Sequence, residues 1–203
     1  MIVSQNQQSD LLPARAGTQL AICTGIIDLG TQQDEFKGEI KTMRKVRIVW
    51  ELCNDKNGEG VPLKIGRNYT LSLGDKATLR HHLEAWRGKA FTPTELEAFD
   101  LKKVLNKACL LGVVHNARGK AVVNTVMQPM QGTQIPARVN AIEYFSFQDD
   151  APDLAIAQQQ IDFIKNMIMQ SPEYKAMNTV PDVIDDLDDP FNFDRERDFA
   201  DCY

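Results

Sequence analysis

No stretch of this chain approaches the roughly 20 consecutive apolar residues that a membrane-spanning helix needs, so a membrane role is not expected. Residues 1–17 carry Gln, Ser and Asn but no basic-then-apolar leader, which points to a cytoplasmic location. Cysteine is sparse. Cys23, Cys53, Cys109 and Cys202 form no C-x-x-C pair and have no histidine at ligand spacing, so neither zinc nor any other metal is expected. Histidine is rarer still, at 3 residues. His81 and His82 are adjacent and would face about 100° apart on a helix, which suits a surface better than a shared metal. The chain also lacks G-x-S-x-G, H-E-x-x-H, a phosphate-binding G-x-x-x-x-G-K-[ST] and a dinucleotide G-x-G-x-x-G. No cofactor is expected, and nothing argues for an enzyme.

What the chain does have is a reversal of charge. Residues 1–149 hold 19 Lys and Arg against 15 Asp and Glu, a formal +4; residues 150–203 hold 4 against 13, a formal −9. A mildly basic body tied to an acidic end fits a body that meets a polyanion, with a tail that competes with it or recruits other proteins. The net charge of −5 conceals this division.

The 203 residues suffice for one domain with a sizeable core and an appendage. After a flexible arm over 1–17, strands are predicted at 21–29, 41–53 and 65–73, with a turn at 34–38 and a loop at 54–60. The second strand alternates. Val46, Ile48, Trp50 and Leu52 fall on one face, and Lys41, Lys45, Arg47 and Glu51 on the other. Residues 75–86 then place Leu79, Leu83 and Trp86 at helical spacing, with Asp75 as N-cap and Gly88 as the stop. Both tryptophans are assigned to the core. A short helical stretch follows near 94–97, then strands at 108–115 and 120–128 around a hairpin turn at 116–119. Residues 141–147 read as a sixth strand or an aromatic edge segment. A single helix over 152–170, with Ala157, Ile161, Ile164 and Ile168 on one face, should end at Ser171 and Pro172. Residues 172–203 read as a disordered acidic tail.

Three strands, a helix and a hairpin is the order of a mainly β (α+β), five-stranded oligonucleotide-binding (OB) barrel over 18–149, with the helical insertion between strands 3 and 4. Another small α+β barrel has the same order. On the OB reading, Lys41, Lys45, Arg47, Lys64, Arg67, Arg80, Arg87 and Lys120 would neutralise phosphates, while Tyr69, Phe91 and Tyr144 would stack bases. In the tail, Asp185, Asp186, Asp188 and Asp189 interleave with hydrophobes, and Phe191, Phe193 and Tyr203 could enter a partner's pocket.

This combination resembles the single-stranded DNA-binding proteins that bacteriophages encode, which have an OB core and an acidic C-terminal tail. The run 185–191 (DDLDDPF) is similar to the acidic Pro-Phe tip of bacterial single-stranded DNA-binding proteins. Residues 38–128, including YTLSL at 69–73 and LEAWRG at 83–88, resemble phage replication-module proteins. The resemblance implies protection of single-stranded DNA in replication, recombination or repair, in a host cell's cytoplasm, with replication proteins recruited by the tail. Two departures stand out. Twelve residues follow Phe191 where the bacterial proteins end, and the 152–170 helix is extra to a minimal OB domain, either capping the barrel or mediating a homodimer. The rival expectation is an adaptor or inhibitor that binds a host protein and never touches DNA. Strand annealing would use the same surface as coating.

Overall fold

The computed structural model describes residues 14–36 and 38–178; the acidic tail from Thr179 onward, with its candidate partner-binding residues and Cys202, lies outside the described residues. Two long strands, β1 (Gly17–Phe36) and β2 (Glu39–Lys56), form an antiparallel hairpin. Its turn is tighter than the predicted 34–38, because Asp34 and Glu35 still pair with Lys41 and Ile40, and Gly38 takes the left-handed conformation at φ 80°. Strand β1 also starts earlier than predicted. Register shifts at Cys23/Gly25 and Asp28/Gly30 bend it, so its first part can pair with one neighbour and its second part can face another.

β3 (Pro62–Thr70) adds to β2, and β4 (Ala108–His115) adds to the first part of β1; β5 (Ala121–Met127) completes the order β3-β2-β1-β4-β5. The short β6 (Glu143–Phe145) pairs in parallel with β1 at Gly25 to Ile27, which makes residues 141–147 partly a sixth strand. The protein is therefore mainly β, with one six-stranded sheet and several short helices. No hydrogen-bonded ladder joins β3 to β5. The expected closed five-stranded barrel is not formed; instead the Arg67 guanidinium donates to the Val123 carbonyl across that gap.

The alternation of β2 works as its pattern requires. Val46, Ile48, Trp50 and Leu52 are all buried in a core shared with Cys23, Leu111 and Val126. Helix α1 (Thr78–Arg87) closes the core from below with Leu79, Leu83 and Trp86, and Gly88 ends it in a left-handed C-cap. Ala77, not Asp75, is the N-cap, because Asp75 instead pairs with Arg80. A capping box of Thr92 and Glu95 with Pro93 in the first turn sets the short α2 (Pro93–Glu97), and a 3-10 turn spans Leu101–Val104.

The other side of the sheet is not solvent. Ile27 and Leu29 of β1 form a second core with Phe145, Ala157, Ile164 and Ile168. The single helix predicted over 152–170 is two, α3 (Leu154–Gln158) and α4 (Asp162–Gln170), and a further helix, α5 (Pro172–Asn178), occupies the first residues of the expected disordered tail. Extended backbone at Ile161 breaks the first from the second and leaves Ile161 63% exposed, off the expected buried face. Pro172 opens α5 instead of ending a helix, since the first turn needs no N–H there. The Ser171 hydroxyl donates to the Ile168 carbonyl and accepts from the Tyr174 N–H, which stitches the two helices.

Glu51 was expected on a solvated face and is 1% exposed. Its carboxylate accepts from the backbone N–H groups of Val139 and Asn140 and from the Asn140 amide, pinning the segment between β5 and β6 across the sheet. Cys23 and Cys109 are buried as small hydrophobes, and burial pushes the Cys23 thiol up to about 12.

Candidate nucleic-acid interface

The cations predicted to form one track are divided by the fold into matched pairs and free groups. Lys45 bonds Asp34 at 2.6 Å, Lys64 bonds Glu143 at 2.6 Å, and Arg87 bonds Glu95 at 2.5 Å. Arg80 sits between Asp75 at 2.5 Å and Glu84 at 3.0 Å. Lys41 is exposed, with Glu39 at 3.8 Å. Arg47 has no carboxylate partner among the described residues. Its guanidinium lies over the backbone of Gly66 and donates to the Asn68 amide oxygen at 2.8 Å, and burial lowers its pKa. The Asn68 amide nitrogen in turn approaches the Met167 sulfur of α4. The face carrying Lys45, Arg47 and Lys64 is thus flanked by β6 and the C-terminal helices, and a continuous cationic stripe does not form on it.

Two of the three predicted stacking rings are corrected by burial. Tyr69 is 4% exposed and Phe91 is 7% exposed, because both belong to the main core. Tyr69 falls on the inward side of β3, where burial raises its phenol pKa and its hydroxyl meets His82 Nδ1 at 2.9 Å. Phe91 packs edge-on against Phe99 beneath the Arg87 guanidinium. Tyr144 is half-buried, with the Lys102 ammonium 4.2 Å from its ring centre.

What remains available lies elsewhere. An open groove of about 710 Å³ runs along the end of β3 into the loop before α1, lined by Arg67, Asn68, Thr70, Ser72, Lys76 and Thr78. Neither Arg67 nor Lys76 has a carboxylate partner among the described residues, and the one acid lining the groove, Asp75, is engaged by Arg80. Lys120 and Arg118 sit exposed at the tip of the β4–β5 hairpin. That tip is held open by Asn116, whose side-chain oxygen accepts from the N–H groups of both Arg118 and Lys120. The unpaired edge of β5 that meets Arg67 belongs to the same hairpin.

His82 touches the groove only through Tyr69, one of the residues lining it. Desolvation first, and the nearby Arg67 second, lower its pKa to about 4, so the ring is neutral at pH 7 and Nδ1 accepts the Tyr69 hydroxyl proton. Sequence reading assigned this residue to a bland surface, and its adjacency to His81 hid the real partner thirteen residues away. Lys76 was missed because the helix was expected to begin at Asp75 and would have held it in the first turn, whereas α1 begins at Thr78 and leaves Lys76 in the turn before it.

A second cavity, of about 530 Å³, opens between the β2–β3 end and the α2 segment, lined by Leu71, Leu73, Leu96, Phe99, Lys102 and Tyr144 among others. Glu97 and Asp100 stand exposed at its edge. No cluster of three or more His, Cys, Asp or Glu able to hold a metal occurs among the described residues. No helix among them is long and apolar enough to cross a membrane.

No protein-family model, no curated protein and no solved structure matches the chain.

Proposed function

We propose that the chain binds single-stranded DNA without catalysis, in phage replication, recombination or repair. In this reading the sheet is an OB-type barrel left open between β3 and β5. The observation that carries it is the groove at the end of β3, where Arg67 and Lys76 face an open channel without a carboxylate partner among the described residues. Arg118 and Lys120 on the neighbouring hairpin extend the positive field. The strand order, with α1 between β3 and β4, supports the same reading. No exposed ring lines the groove apart from the edge of buried Tyr69, so phosphate contact contributes more here than base stacking. The acidic tail would compete for these cations and, once displaced, recruit replication proteins.

Fluorescence anisotropy of labelled single-stranded and duplex oligonucleotides over a salt series tests this. Preference for the unpaired strand and a log–log salt slope of about −3, at roughly −0.7 for each of the four cations named, are expected. Equal binding of both forms, or binding unaffected by salt, would reject the reading.

The adaptor reading keeps one observation of its own, the 530 Å³ cavity with an apolar floor and the exposed acids Glu97 and Asp100. Such a site suits an apolar side chain flanked by basic ones. It would predict no affinity for oligonucleotides even at low salt.

A further inference from the structure

Half-buried apolar side chains gather at one place on the main core. Nine of them pack against it, and six of the nine, Leu71, Leu73, Leu96, Phe99, Leu101 and Tyr144, line the 530 Å³ cavity beside α2. Buried Leu79 and Phe145 line it too, so the cavity is continuous with the core. A concave apolar surface of this size can seat an anchoring side chain.

The charges around the cavity do not balance. Four ionisable acids and bases line it: Asp28 is answered by Arg44, and Lys102 by Asp149. The other two, Glu97 and Asp100, stand exposed with no cationic side chain paired to them among the described residues. The Asp100 carboxylate accepts only the Lys102 N–H at the start of the 3-10 turn. Lys103 lies outside the lining, 5.8 Å from the centre of the Phe99 ring. Two carboxylates are therefore left over among the lining residues, and no cation.

The backbone between those two acids supplies a third observation. Ala98 (φ −151°, ψ 96°) and Asp100 (φ −77°, ψ 114°) are extended. Phe99 between them makes no backbone hydrogen bond among the described residues. Its N–H and C=O are open to an extended main chain laid alongside, as an unpaired strand edge would be.

We infer that this cavity docks an extended basic segment of a partner protein. One apolar side chain of the segment fills the cavity, its main chain runs along Phe99, and its flanking lysines or arginines meet Glu97 and Asp100. The leftover carboxylates select that occupant, because a nucleic-acid strand or the chain's own acidic tail would bring like charge to them. The inference rests on the adaptor reading of the cavity and gives it a partner. It does not rest on the nucleic-acid reading: Ser72 lines both openings, but Arg67 and Lys76 line only the groove.

Isothermal titration of the full chain with an acetylated, amidated KKFKK peptide is the test. Saturable binding at a single site is expected, with a Kd on the order of 100 μM. KKSKK, which lacks the anchor, and EEFEE, which reverses the charge, should each bind about tenfold more weakly or worse. Glu97→Gln combined with Asp100→Asn keeps the side-chain shapes and should weaken KKFKK about tenfold. Glu59→Gln, at an exposed acid in the loop before β3, should leave its affinity unchanged. No saturable binding of KKFKK, or an affinity untouched by the double variant, would overturn the inference. Equal binding of KKFKK and KKSKK would overturn it too, by assigning the affinity to the acidic tail. A doubled chain mass in sedimentation that KKFKK reduces to the single mass would put a second copy in the cavity in place of the partner.

Discussion

The two wings of the sheet treat charge in opposite ways. The β2–β3 wing carries Lys41, Arg44, Lys45, Arg47, Lys64 and Arg67, and the protein answers four of the six from within: Glu39 for Lys41, Asp28 for Arg44, Asp34 for Lys45, Glu143 for Lys64. The β4–β5 wing carries no Asp, Glu, Lys or Arg on its strands. The difference teaches that a basic strand is poor evidence of a binding surface until its acids are located. Periodicity shows which face a lysine occupies. It does not show what lies opposite.

The largest effect should come from comparing two residues on one strand of the uncharged wing. Leu111→Ala empties a fully buried site and should cost about 3 kcal/mol or more in chemical denaturation, whereas Val114→Ala, three residues on and exposed, should fall within about 0.5 kcal/mol. Similar losses at both positions would mean that the outer face is packed. On the charged wing, Glu51→Gln keeps the shape but weakens the acceptor for the Val139 and Asn140 N–H groups, at a cost of about 1–3 kcal/mol. Hydrogen exchange at those two amides should speed up with it; unchanged protection would show that the carboxylate does not hold the segment.

A smaller effect is a pH dependence. The folded-state pKa of His82, lowered to about 4, lies below its ordinary value of 6.5, so the neutral ring contributes stability that is complete above pH 6.5. That contribution is lost as the pH falls from 6.5 towards 4. Melting temperature should decline over this window, and His82→Gln should flatten the decline; an identical profile in the variant would remove His82 as the cause. The smallest is Lys76→Ala, expected to weaken single-strand binding modestly and to reduce the salt slope by about 0.7, one phosphate contact. A slope that does not change would take Lys76 out of the interface.

Much of the main core was legible in the sequence. Alternation in β2 and the Leu79, Leu83, Trp86 spacing in α1 identified buried faces, because burial there follows from period alone. The second core was only half legible. Ala157, Ile164 and Ile168 announced an apolar helix face, but the surface that receives it, Ile27 and Leu29 with Phe145, comes from strands far away in the chain. The same ignorance of the third dimension misplaced two of the candidate stacking rings. Tyr69 and Phe91 have the ring and the neighbouring cations of a stacking platform, yet Tyr69 turns inward on the face of β3 that meets α1, and Phe91, between α1 and α2, packs against Phe99 in the same core. Arg67, expected to neutralise phosphate, lines the groove at the end of β3, while its carbonyl partners on β5 depend on a tertiary approach that no local pattern encodes.

Gly30 joins the two layers. It occupies a left-handed bulge at φ 66°, and a side chain there would come within 2.5 Å of Ser171 Cβ, so the α4–α5 junction rests directly on bare backbone. Asp28 accepts the Gly30 N–H, and Glu173 of α5 accepts from Thr31, so the irregularity in β1 and the helical cover are tied together. A sheet and a cover interlocked at one glycine should come apart together. The protein would then melt in a single cooperative step, and a residue with any side chain at position 30 would split that step in two by loosening the cover first.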